Sequence, residues 1–309
     1  MLKITDLTLQ TADGKKYPLW NLSLAVPPGQ CLAVVGESGG GKSSLAWAAL
    51  GYPRPGQRVV DGQVLFDQQN MLALSAAQRQ TLYFRQISLL PQEAMQCFHP
   101  TRRLRTALEE LCPSEKRTRL LQRAADLATA LDLPAQVWDK YPHQLSGGQK
   151  QRLSLVLALL HQPRLVILDE PTSALDVLGQ RLVEQVLART KEEQGSSLLL
   201  CTHDLEMAAR LADSIAVLYA GQIVELLPAG KLAIACHPYT RGLLASLPRL
   251  SRQKQCCRSI PGQASVLHGP PAACSFAPRC PVAQERCQRE NPPLRPLAGG
   301  QVRCFYPCS

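Results

Sequence analysis

Leu145-Ser146-Gly147-Gly148-Gln149 stands between two stretches with phosphate-handling chemistry, and the three together decide the fold. Upstream is Gly36-Glu37-Ser38-Gly39-Gly40-Gly41-Lys42-Ser43, and downstream is Leu165-Val166-Ile167-Leu168-Asp169-Glu170-Pro171. The upstream run fits G-x-x-x-x-G-K-[ST], in which glycine lets successive backbone N–H groups turn toward phosphate oxygens without a Cβ clash. It follows the apolar Cys31-Leu32-Ala33-Val34-Val35, which reads as a buried strand, and precedes Ser44-Leu45-Ala46-Trp47-Ala48-Ala49-Leu50, which reads as a helix. That is the context the motif requires. Lys42 is suited to neutralise β- and γ-phosphates and Ser43 to ligate Mg²⁺, while the N-terminus of the following helix, which includes Ser44, adds partial positive charge.

Leu165 to Leu168 reads as a second buried strand, ending at Asp169 and Glu170 on the edge where ligands of parallel sheets collect. Adjacent residues on a strand point to opposite faces, so the two carboxylates should have different tasks. Asp169 is assigned to Mg²⁺ through water, and Glu170 to polarising the attacking water.

In this order the three stretches resemble the ATP-binding subunits of ABC transporters. The resemblance implies an α/β fold: a P-loop NTPase of ABC type with a mixed β-sheet core, an antiparallel β subdomain and a helical subdomain at about 93–162. Pro171-Thr172-Ser173-Ala174-Leu175-Asp176 is similar to the family's D-loop. His203, after the apolar Leu198-Leu199-Leu200-Cys201-Thr202, corresponds to the switch histidine that contacts the γ-phosphate. Gln92 corresponds to the Q-loop glutamine that reaches Mg²⁺ and the attacking water. The signature Ser146, Gly147, Gly148 and Gln149 should open a helix whose free N–H groups bind the γ-phosphate of a second ATPase subunit packed head to tail. Only one set of motifs is present, so a dimer is expected, with a paralogue ahead of a second copy of this chain.

The remaining composition agrees. The 309 residues can bury a large core, and no apolar run reaches 18 residues, so no bilayer-spanning segment is expected. The opening Met1-Leu2-Lys3-Ile4-Thr5-Asp6-Leu7-Thr8-Leu9 alternates as a half-buried strand would and lacks a signal-peptide core. Residues 58–68 read as a further antiparallel strand. Leu120, Leu121, Ala124, Ala125 and Leu127 recur near a 3.6 period, with Pro134 and Pro142 as breaks. Of the net charge of +10, residues 237–309 carry +8, from ten Lys or Arg and two Asp or Glu. Eleven of the 24 prolines also follow residue 236. The expected organisation is therefore a nucleotide-binding domain over 1–235 and a smaller extension over 236–309.

Within that extension, His237-Pro238-Tyr239-Thr240 resembles the motif opening the C-terminal region of peptide- and nickel-importer ATPases. Cys274, Cys280, Cys287 and Cys304 follow, with gaps of five, six and sixteen residues. In a cytoplasmic chain lasting disulfides are disfavoured, so four clustered thiols suggest metal, and four thiolates suit either zinc or an iron–sulfur cluster. The resemblance implies a [4Fe-4S] cluster. Cys256, Cys257 and Cys308 lie near enough to complicate the ligand set, whereas Cys31 and Cys201 read as core. Tyr17 is a candidate to stack on adenine, with a packing role equally open. Glu93-Ala94 departs from the family, where proline commonly follows the acidic residue. So does the basic stretch from Phe98 to Arg105, which overlaps Gln92 to Pro100, the surface expected to meet a permease.

The expected function is ATP hydrolysis that energises uptake of peptides, or of nickel or metal chelates, at the cytoplasmic face of the membrane. The expected partners are two transmembrane permeases, a second ATPase and an extracytoplasmic solute-binding protein, with no nucleic acid. Two alternatives are a soluble ATPase acting on nucleic acid or ribosomes, to which the basic tail lends some support, and an accessory ATPase of a phosphonate-degrading complex.

Overall fold

The computed structural model describes residues 1–247, 259–297 and 299–308. The chain forms two compact units, one made of Met1, Val26–Cys31 and Ala73–Leu200, the other of Leu2–Ala25, Leu32–Leu72 and Cys201–Ser309. The strands are β1 (Leu2–Thr11), β2 (Leu19–Val26), β3 (Cys31–Val35), β4 (Gln57–Phe66), β5 (Gln69–Asn70), β6 (Ile87–Leu90), β7 (Leu165–Asp169), β8 (Ser197–Thr202), β9 (Ser214–Tyr219), β10 (Gln222–Pro228), β11 (Arg295–Leu297) and β12 (Gly300–Val302). The helices are α1 (Lys42–Ala49), α2 (Ala76–Leu82), α3 (Leu104–Glu110), α4 (Arg117–Ala130), α5 (Gly147–Leu159), α6 (Val177–Gln194), α7 (Leu205–Leu211), α8 (Pro238–Ser246) and α9 (Glu285–Arg289).

In the unit that holds the glycine-rich loop, an antiparallel sheet runs β2-β1-β4-β5. The strands expected at the N-terminus and at 58–68 are β1, β2 and β4, and β1 pairs with β4 from Leu2 opposite Phe66 to Thr11 opposite Gln57. A second run of strands is ordered β11-β12-β10-β9-β3. Here β3 and β9 are parallel, whereas β9 with β10 and β10 with β12 are antiparallel. The β9–β10 hairpin turns at Ala220 and Gly221, both with positive φ (46° and 72°), as a two-residue turn that follows the strand twist requires. Residues of the last quarter of the chain thus supply β12, a strand of this mixed sheet.

In the other unit, β6 and β7 pair in parallel from Ile87 opposite Leu165 to Leu90 opposite Leu168. β7 is buried throughout, and its continuous apolar run fits a strand covered on both faces. Helices α3 to α5, with short 3-10 turns between them, occupy the segment expected to be helical. Pro134 caps one such turn and Pro142 begins another, so both prolines do act as breaks. The α4 stripe is narrower than the sequence suggested. Leu120, Ala124 and Ala128 are buried at a spacing of four, whereas Leu121 and Leu127 are half-buried and Ala125 is exposed. Asp176 caps the start of α6 by accepting from the Gly179 N–H at 2.8 Å, and Gly195 ends it in the left-handed conformation. Among the described residues no helix is long and apolar enough to cross a membrane.

Candidate functional site

The glycine-rich loop links β3 to α1. A Cβ on Gly36 would collide with the carbonyl oxygen of Leu218, and one on Gly41, whose φ is 109°, with that of Pro18. Both glycines are therefore required by close backbone approach. Ser38 and Gly39 form the exposed crest of the loop and Gly40 is buried beneath it. The Gly40 N–H donates to Glu37 O at 3.2 Å, and Gly40 O accepts from the Gly221 N–H at 3.0 Å. Lys42 is buried, and its Nζ arches over the loop to donate to the carbonyls of Gly36 (2.8 Å) and Glu37 (3.1 Å). An ammonium held there, beside the first turn of a helix capped by backbone alone, provides a positive cradle for an anion. Ser43 is half-buried in that turn, and Ser44 is buried with its Oγ accepting from Gln57 Nε2 at 3.0 Å. His203, in the same unit, is exposed just past the end of β8, and the following Asp204 caps α7 through the Met207 N–H.

In the other unit, Asp169 ends β7 fully buried, and Glu170 follows with 5% exposure. Strand alternation does not set the direction of the Glu170 side chain. The strand stops at Asp169, and Glu170 adopts φ 53°, a left-handed turn that redirects its side chain independently of the pleat. Buried Gln151 of α5 holds this turn: its Nε2 donates to Pro171 O at 3.1 Å and Glu170 O at 3.4 Å. Sequence reading missed Gln151, whose only signal is its place two residues beyond the Leu145–Gln149 stretch. Gln92 is exposed, two residues after β6.

The Ser146–Gln149 stretch does open α5. Ser146 is the N-cap, its Oγ accepting from the Gln149 N–H at 3.2 Å while Gln149 Oε1 accepts from the Ser146 N–H at 3.1 Å. This capping box ties both side chains to the helix end and leaves the exposed backbone around Gly147 as its outward surface.

Cys274, Cys280, Cys287 and Cys304 line one small pocket with His237, Phe276 and Phe305. Burial pushes the Cys274 and Cys280 thiols upward and that of Cys304 to about 11. The donor set suits a thiolate-bound metal. Yet among the described residues no group of three His, Cys, Asp or Glu side chains is disposed to hold one ion, so the pocket is shared without a common centre. Cys256 and Cys257 lie outside the described residues, and Cys31 and Cys201 are buried in β3 and β8 as expected. Tyr17 rests edge-on against Trp20, ring centroids 5.0 Å apart, with its hydroxyl accepting from Gln10 Nε2 at 2.8 Å.

The model of the ABC transporter family matches residues 19–173. The chain belongs to this family. As an ABC ATPase it binds ATP with Mg²⁺ and hydrolyses it. The model of the oligopeptide/dipeptide transporter C-terminal region matches residues 224–287. The dipeptide transport ATP-binding protein DppD of Escherichia coli (strain K12) is 37% identical over 294 residues, covering 93% of this chain and 90% of that protein. The oligopeptide transport ATP-binding protein OppD of Salmonella typhimurium is 34% identical over 316 residues, covering 99% and 94%. Among solved structures, the dimeric bacterial ABC transporter cassette MJ0796 aligns with a TM-score of 0.66 and 25% identity over 74% of this chain and 99% of its own.

Proposed function

We propose that this chain is the ATP-hydrolysing subunit of a peptide importer, working at the cytoplasmic face of the membrane with two permeases, a second ATPase and an extracytoplasmic solute-binding protein. The observation that carries this reading is the combination in one chain of the ATPase motifs with the peptide-transporter C-terminal region over 224–287. Peptides rank ahead of nickel or metal chelates as cargo, since the DppD and OppD relatives carry peptide names. In functional terms residues 1–235 form the nucleotide-binding domain and 236–309 an extension.

In this reading the backbone amides from Gly36 to Gly41 and the Lys42 ammonium hold the triphosphate, with Ser44 completing the first helical turn. Ser43, Gln92 and Asp169 would hold Mg²⁺, which would supply charge neutralisation at the phosphates. Glu170 polarises the attacking water, accepting its proton, Gln92 reaches that water, and His203 contacts the γ-phosphate and holds the catalytic geometry. Ser146, Gly147, Gly148 and Gln149 face the nucleotide of the partner ATPase. Val177 and Leu178, 71% and 76% exposed just after the D-loop, offer apolar area of the kind a subunit contact uses. A gentle membrane pull-down of the tagged chain from its host tests the assignment. Two polytopic permeases and a second ATPase are expected, whereas recovery of ribosomes or soluble enzymes alone would overturn it.

The finer reading of the extension is a [4Fe-4S] cluster on Cys274, Cys280, Cys287 and Cys304. It is supported by the four thiols lining one pocket, and binding would draw them to a common centre. Anaerobically purified protein is expected to be brown with about four irons per chain. Colourless protein carrying zinc, or no metal, would reject the cluster.

A further inference from the structure

Glu37 occupies a variable position of the glycine-rich loop, where the motif makes no demand on the side chain. Here every polar group of Glu37 is engaged. Its carboxylate receives a two-pronged contact from Arg279, Nη1 to Oε2 at 2.6 Å and Nη2 to Oε1 at 2.9 Å. Its N–H donates to the Tyr239 hydroxyl at 2.9 Å, and its carbonyl accepts from Lys42 Nζ and the Gly40 N–H. Arg279 and Tyr239 both come from the last quarter of the chain. The Arg279 side chain is only 5% exposed, and its Nε donates to Pro261 O at 2.7 Å. Its guanidinium carbon lies 5.7 Å from the centre of the Tyr219 ring, which packs with Tyr239 and Phe276 in one aromatic cluster.

A buried guanidinium is expensive to desolvate and gains little net stability from one carboxylate, so a stability role accounts poorly for it. A fork-to-fork contact does fix orientation, because planar donors and acceptors meet in one geometry only. It also cancels a negative charge. Without Arg279, the Glu37 carboxylate would leave an uncompensated negative charge on the loop meant for a polyanion and repel it.

We propose that Arg279, assisted by Tyr239, is a positioning residue for the phosphate-binding loop: it neutralises Glu37 and fixes the loop, so ATP affinity depends on the C-terminal segment. The proposal rests on the reading that Gly36–Ser43 hold the ATP phosphates. The test is titration of the purified full-length chain with a fluorescent ATP analogue and Mg²⁺, with the thermal midpoint measured alongside. Arg279→Gln is expected to weaken nucleotide binding about tenfold, since one uncompensated charge on the loop is worth a factor of that order. Adding Glu37→Gln to that variant should restore most of the loss by removing the stranded carboxylate. A role in folding alone would give no such rescue. Tyr239→Phe, which removes only the acceptor for the Glu37 N–H, should weaken binding severalfold and decides the matter if Arg279→Gln fails to fold. Lys42→Ala serves as the reference. Tight binding by Lys42→Ala would refute the loop assignment itself. Loss of binding there, together with wild-type affinity in Arg279→Gln or, failing that, in Tyr239→Phe, would refute the positioning role alone. Weakened binding in Arg279→Gln without rescue by Glu37→Gln would also overturn it.

Discussion

Glu170→Gln is expected to retain ATP and to lower hydrolysis by at least about 10²-fold, the usual size of a general-base contribution. The substitution keeps the side chain's shape and its place in the turn but removes the carboxylate proposed to accept the proton. The backbone supports this specificity of effect. Glu170 sits at φ 53°, a conformation costly for a residue with a Cβ, and Gln151 pins the carbonyls of Glu170 and Pro171 from the interior. Neither contact involves the carboxylate, so the turn should survive the change and binding should be spared. In the proposed cycle a dimer held by ATP has no route to release once hydrolysis is blocked, so the closed form should accumulate. Phosphate release and size exclusion with and without ATP measure both effects. A variant that hydrolyses ATP at the wild-type rate would remove Glu170 from its role.

How much of this was legible in the sequence depended on whether local chemistry alone fixed the outcome. Gly36 and Gly41 were readable because only glycine tolerates the approach of the Leu218 and Pro18 carbonyls, so the motif records a steric requirement. Ser146 and Gln149 were readable as a helix start because a capping box closes within four residues. β7 was readable because a fully buried strand leaves an unbroken apolar run. The position of Glu170 was readable, but its geometry was not: alternation predicts side-chain direction only while the strand continues, and it ends one residue earlier.

What the sequence hid was long-range. Glu37 and Arg279 are 242 residues apart, and neither stands out locally: one is an unspecified residue of a loop, the other one arginine in a basic tail. The +8 charge of that tail lent support to a nucleic-acid reading, whereas Arg279 and Arg303 turn inward. Arg303 donates to the carbonyls of Ile223 and Pro292, and burial pulls its pKa down. The four cysteines illustrate the intermediate case. Their clustering was visible as spacing and as a shared pocket, but spacing carries no information about whether sulfurs centre on one point.

The motif His-Pro-Tyr, met in the sequence only as a resemblance, has a physical content that yields a pH dependence. His237 is 1% exposed and is the N-cap of α8, its Nδ1 accepting from the Tyr239 N–H at 3.1 Å. Pro238 follows at the first helical position, where no N–H is needed. The Glu225 carboxylate accepts from the N–H groups of Cys236 and His237 and so anchors the approach to the helix. An Nδ1 that accepts must be unprotonated, and burial, reinforced by the Arg303 charge, lowers the His237 pKa from 6.5 to about 4 despite a bond to the Arg303 backbone. In the unfolded chain the imidazole takes up a proton near pH 6.5, while in the folded chain it stays neutral until about pH 4. Its contribution is therefore complete above pH 6.5, declines as pH falls through that window, and is gone below about pH 4, a total of about 3 kcal/mol. Urea unfolding at pH 7.5 and pH 5 should show wild type losing about 2 kcal/mol more than His237→Gln, whose amide can still cap the helix but does not titrate. Parallel losses in the two proteins would assign the acid sensitivity to other groups. The consequence reaches the nucleotide loop, because the helix that His237 caps carries the Tyr239 hydroxyl to the Glu37 N–H. Acid that uncaps α8 should therefore weaken ATP binding before it unfolds the chain.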